Sequence, residues 1–91
     1  MYAMYDKLGR GDSGGMSMAI WRDKATGEII FRHDARPEVG MSMRVGSISA
    51  RSYSRQDWWQ TTLVKEIISD TPDKVVFKTV NGSTYTWKVD V

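Results

Sequence analysis

The chain has no cysteine and a single histidine, His33. Zinc sites of the usual Cys/His kinds are thereby excluded, and so is a disulfide framework. Small secreted domains generally depend on disulfides, so a reducing, cytoplasmic setting is expected. No apolar run approaches the ~18–20 residues of a membrane-spanning helix, and no membrane association is expected. The opening MYAMYDKLGRG lacks a basic start followed by an apolar block, so no secretory leader is expected either. Neither sign of charge dominates: thirteen Lys and Arg face eleven Asp and Glu, for a net charge of +2. That balance permits an anionic partner but lacks the broad basic field of a protein that grips long duplexes. No glycine-rich stretch ends in Gly-Lys-Ser/Thr before a helix, so a phosphate-cradling P-loop is absent. No paired carboxylates stand in an apolar context that would tune them for acid–base work. The reading is therefore non-enzymatic, with no cofactor and no metal.

What is present is β-pattern. At 91 residues the chain suits one domain with one modest core. MSMAIWR and EIIFRH flank the turn DKATGE and predict a first hairpin. Pro37 and Gly40 in DARPEVG then break the ladder. MSMRVGSISARS predicts a strand, with Gly46 marking a bulge. WWQTTLVKEII, rich in β-branched and aromatic residues, predicts another, with a short helix as its alternative. SDTPDK predicts a turn, KVVFKTV a strand, and Asn81-Gly82 a hairpin. In the closing STYTWKVDV, Tyr85, Trp87, Val89 and Val91 alternate with Thr84, Thr86, Lys88 and Asp90, the period of a strand with one buried face. The expectation is an all-β domain over residues 16–91: a small SH3-like barrel or a strongly bent antiparallel sheet of about six strands. Residues 1–15, with four glycines, are expected to form a flexible N-terminal arm. An open meander leaves two edges that must close, be covered or pair with another subunit, which makes a homo-oligomer compatible with the pattern.

Within that arm, GRGDSGG contains two strings with functional echoes. GDSGG surrounds the nucleophile of chymotrypsin-like proteases, and RGD is an integrin-binding tripeptide. A serine nucleophile needs a base, and His33 is the sole candidate. It follows Ser13 in the chain, the reverse of the order in those enzymes, and they need two barrels. The RGD reading needs an extracellular loop, which the lack of disulfides disfavours. Both strings read as a Gly/Ser linker.

The unusual feature is aromatic and guanidinium side chains crowded together. Four tryptophans are many for this length. Trp58 and Trp59 are adjacent, so on a strand one faces the core and the other the surface. Arg44, Arg51 and Arg55 precede them, and ARSYSRQDWW interleaves Arg51, Tyr53, Arg55, Trp58 and Trp59. Arginine's planar fork suits phosphate or carboxylate, and its face stacks on rings. The composition fits a nucleotide or a single strand, and equally a protein interface, where Trp, Tyr and Arg are the enriched anchors. A polar loop over a packed core is the plain alternative. The candidate partner-binding residues are Arg44, Arg51, Tyr53, Arg55, Trp58 and Trp59.

Residues 44–88, VGSISARSYSRQDWWQTTLVKEI followed by KVVFKTVNGS, resemble Tudor and SH3-like small barrels. The matching positions are Val45, Ala50, Trp58, Trp59, Leu63, Ile67, Val75, Phe77 and Gly82. The resemblance implies a barrel; Trp59 and Tyr85 would be candidates for the aromatic cage of a Tudor domain, whose remaining members are not identifiable here. DWWQTTLVKEI and VVFKTVNGSTYTWKV in a short cysteine-free chain also resemble the small orphan proteins of bacteriophages. That resemblance implies a phage-encoded protein in the host cytoplasm that inhibits or sequesters a host or defence component, either a protein or a small anionic signalling nucleotide. A single-stranded nucleic-acid binder and a virion assembly protein are the other readings.

Overall fold

Two long strands organise the molecule. In the computed structural model, which describes residues 1–46 and 58–89, β2 runs Gly11–Arg22 and β5 runs Trp58–Thr71. Each changes partner part-way along. Strand β2 pairs first with β1 (Tyr2–Asp6), then with β4 (Ser42–Gly46) and β3 (Ile29–His33). Strand β5 pairs with β4 through its first half and with β6 (Lys74–Thr79) through its second. Register shifts at Val64/Glu66 and Ile67/Ser69 bend it as it crosses. With β7 (Thr84–Val89) between β6 and β1, the ring β1-β7-β6-β5-β4-β2 closes on itself through β1–β2. The result is a six-stranded antiparallel barrel with β3 added on the flank of β2. This is the all-β architecture expected, and it is compatible with an SH3-like small barrel.

The alternation read from the sequence places the core. Val75, Phe77 and Thr79 of β6 and Tyr85 and Trp87 of β7 point inward. They meet Met43 and Val45 of β4, Ala19 of β2, Val64 of β5 and Met4 of β1. Tyr2 stacks on Trp87 at 5.4 Å, and Phe77 on Tyr85 at 5.6 Å. Burying rings such as Phe77 and Trp87 stabilises the barrel by roughly 1.5–3 kcal/mol each. One polar line runs through this core. Trp87 Nε1 donates to Ser17 Oγ at 2.9 Å, and Ser17 donates to the Ala35 carbonyl at 2.9 Å. It anchors the β3–β4 connection, whose Ala35 and Pro37 are buried. Arg36 ties the same connection to the β5–β6 turn, donating to Asp70 Oδ1 at 2.5 Å, the Thr71 carbonyl at 2.6 Å and the Pro72 carbonyl at 2.8 Å. Its guanidinium also lies 5.3 Å from the centre of the Trp87 ring.

One expectation changes and two are met. The first fifteen residues are not an arm: residues 2–6 are β1, and 11–15 open β2. Ala3 and Met4 are buried, and Tyr2 through Asp6 pair rung by rung with Val89 through Tyr85. The glycines there serve close approach rather than looseness. A Cβ on Gly11 would stand 1.8 Å from the Met4 carbonyl oxygen, and one on Gly15 would stand 2.5 Å from the Gly46 backbone. WWQTTLVKEII is strand throughout, as expected, and its helical alternative falls away. Asn81-Gly82 forms the expected hairpin, in a three-residue loop, Val80–Gly82. Thr79 N–H donates to the Ser83 carbonyl and Gly82 N–H to the Thr79 carbonyl, with Gly82 at φ +88°.

Candidate functional site

The outer face of the sheet β3-β2-β4-β5 is where the described candidates fall. In antiparallel pairs, residues directly opposite share a face. Met18 lies opposite His33 on β3 and opposite Arg44 on β4, and Arg44 lies opposite Gln60 on β5. These make one row across four strands: His33, Met18, Arg44, Gln60. On one side runs the row Phe31, Ile20, Ser42, Leu63. On the other side, Met16 faces Gly46, and Gly46 faces Trp58. In these rows the face therefore carries one guanidinium, Arg44, flanked on one side by Phe31, Ile20, Ser42 and Leu63, with Gly46 on the other where a side chain would otherwise stand.

Arg44 is the centre of its row. Its Nε and Nη2 both donate to Gln60 Oε1, at 3.0 and 2.8 Å. Burial lowers its pKa from the ordinary value, though arginine remains charged at neutral pH. The guanidinium is thus half-buried, oriented by its neighbour and charged. Fixing its rotamer in advance lowers the entropic cost of a later contact. Met18 beside it is buried and Met16 half-buried, and thioethers adapt to irregular surfaces.

Trp58 and Trp59 occupy successive rungs of β5. Trp59 lies opposite Val45 and packs against the core cluster, half-buried. Its Nε1 is buried without a hydrogen-bond partner among the described residues. Trp58 stands at the Gly46 rung, on the parity of Gln60 and two positions from Arg44. The structure therefore brings the positions of Arg44 and Trp58 together and sets Trp59 on the opposite side of the sheet. Arg51, Tyr53 and Arg55 lie outside the described residues. Gly46 and Trp58, which bound the segment carrying them, face each other across the β4–β5 ladder.

Comparisons with protein-family models, with characterised proteins and with solved structures return no match. What this face does is accordingly read from its own chemistry.

Sequence reasoning missed Met18 and Gln60. The MSMAIW run is apolar at both parities, so it does not show which face is outward. Gln60 gains meaning only through its register with Arg44. Missed too was the part Arg36 plays in lacing the barrel; nothing in its neighbours in the chain points to Asp70 or Trp87. Elsewhere, a polar hollow of about 190 Å³ lies between the β1–β2 turn, at Asp6 to Arg10, and Gly82 to Thr84. It is smaller than the usual small-molecule pocket of ~300–1,000 Å³, and none of the candidate residues lines it. The strings GDSGG and RGD fall on the β1–β2 turn and the first rungs of β2. Gly11 and Asp12 are rungs of the β1–β2 ladder. His33 sits opposite Met18, five residues along β2 from position 13.

Proposed function

We propose that this barrel is a non-enzymatic binding module. Its contact surface is the outer face of β2, β4 and β5, and its partner presents a compact anionic group to Arg44. The observation that supports this most is the pre-oriented, half-buried Arg44 in the row His33-Met18-Arg44-Gln60. A guanidinium fork suits phosphate or carboxylate, and soft or aromatic neighbours suit a base or an apolar side chain. Net charge of +2 favours a small anion over a long polyanion. The partner class is a small nucleotide, or a phosphate- or carboxylate-bearing surface on a host or defence protein. In its finer form, resting on resemblance in style, the protein is phage-encoded and acts by sequestering or inhibiting that partner. Arg51, Tyr53 and Arg55, the other candidates in the sequence, lie outside the described residues.

A thermal-shift panel of mono- and cyclic nucleotides tests the small-ligand form, with a rise of several degrees expected for the cognate one. Arg44→Ala should weaken binding by about 10- to 100-fold, the worth of one charge-assisted hydrogen-bonded contact. Gln60→Ala should cost less, because it removes orientation and leaves the charge. Retention on single-stranded DNA that falls steeply with salt would replace this reading with a nucleic-acid one. An unchanged affinity in folded Arg44→Ala protein would remove Arg44 from the surface.

A further inference from the structure

Strand β3 lies outside the closed ring, and its far edge has no partner strand among the described residues. Its hydrogen-bonding phase follows from its two ends. Asp23 N–H donates to the Glu28 carbonyl and Asp34 N–H to the Ser17 carbonyl, both at 2.8 Å. In an antiparallel ladder the bonded pairs recur at every second residue. Glu28, Ile30, Arg32 and Asp34 therefore turn their backbone groups toward β2. Ile29, Phe31 and His33 turn theirs outward, to the open edge. The side chains at the same three positions stand on the outer face, where Ile29 is 46% and Phe31 52% exposed.

From this edge we infer that the protein self-associates, with β3 of one copy pairing antiparallel to β3 of a second about a two-fold axis at Phe31. That register is self-complementary. Phe31 exchanges both hydrogen bonds with Phe31 of the second copy. Ile29 does so with His33 of the second copy, and His33 with Ile29. Every outward N–H and C=O of the strand finds a partner. On the outer face the two Phe31 rings meet at the axis, an aromatic cross-strand pair of the kind that stabilises sheets. On the other face Arg32, paired with Glu38 of its own chain at 2.7 Å, stands opposite Ile30 of the second copy and diagonal to its Glu28. The one like-charged match, Glu28 with Asp34, falls beyond the strand: Asp34 has a φ of +55°, which turns the chain off the ladder at that residue. A hydrophobic partner groove or an unrelated peptide would not need this symmetry, and a second copy supplies it. A five-residue edge is short against the ~1,200–2,000 Å² buried in stable interfaces. The dimer is accordingly weak and concentration-dependent.

Sedimentation velocity from about 10 μM to about 1 mM, with amide hydrogen exchange at both limits, tests the pairing. The sedimentation coefficient should rise with concentration, and exchange at Ile29, Phe31 and His33 should slow in step. Phe31→Pro should abolish both effects while the barrel stays folded, because the N–H it removes points away from β2. Phe31→Lys serves as the second variant should proline unfold the edge, and it should abolish the rise as well. A monomer throughout the range would overturn the inference. So would a dimer in which those three amides exchange at the monomer rate, or one undiminished in a folded variant.

Discussion

Ser17 shows what one hydroxyl does in this core. It accepts from the indole of Trp87 and donates to the Ala35 carbonyl, and all of its side chain is buried. Ser17→Ala would leave a buried indole N–H and a carbonyl without that partner, a cost of about 1–3 kcal/mol. Urea denaturation should report that loss, with a fall in melting temperature of about 4–8 °C for each kcal/mol. Unchanged stability would mean that the line from β7 to the β3–β4 connection carries no weight. The same residue marks a limit of reading from sequence. A serine between two methionines looks like an outward polar position in MSMAIW. It faces inward because Trp87, seventy residues away in the chain, brings a donor that needs an acceptor.

At the scale of elements, β1 is the piece whose nature decides the architecture, since without it the ring is open between β7 and β2. Gly11→Ala should cost about 1–3 kcal/mol or more by overpacking, because the new methyl collides with the Met4 carbonyl. Gly9→Ala is the control. It lies at φ +82° with open space around it, so it should cost about 1 kcal/mol from backbone strain alone. Chemical denaturation of the two variants separates them; a neutral Gly11→Ala would restore the picture of a loose arm. Strands β3 to β7, and β2 from Met16 onward, were legible because each carries either a clean alternation, as in STYTWKV, or turn residues at its ends, as in DKATGE and TPDK. Strand β1 was hidden because glycine reports two opposite things. It marks freedom where the chain is unpacked and contact where two backbones meet, and only the partner strand tells which applies. The site divides the same way. Opposite faces for Trp58 and Trp59 follow from the strand period alone. The row joining Arg44 to Met18 and Gln60 needs inter-strand register, which local sequence does not hold.

For the whole molecule, a titratable group stands at each end of β1, and each contributes stability over its own pH range. At its end, Asp6 receives Arg10 Nε at 2.8 Å and the N–H groups of Leu8 and Arg10 at 2.9 Å each. Burial alone would raise the Asp6 pKa; these hydrogen bonds and the Arg10 charge outweigh it and hold the carboxyl below its ordinary value. A carboxyl depressed in the folded state stabilises at pH values above its unfolded pKa of about 3.9. That contribution fades as pH falls through the lower folded value. At the other end, burial first, and then the charge and hydrogen bond of Asp34, raise the Tyr2 phenol above its ordinary value. A raised phenol stabilises at pH values below about 10, and the contribution is lost as pH climbs through the higher folded value. Stability measured against pH should therefore hold level between these limits as far as these two groups govern it. Asp6→Asn should lower the neutral plateau and converge on the parent protein in acid. Tyr2→Phe should lower the plateau and converge on the parent in alkali instead. Each substitution acts on one limit because each group sits at its own end of β1. A variant that remained parallel to the parent protein across the whole range would show that its carboxyl or phenol takes no part in closing the ring.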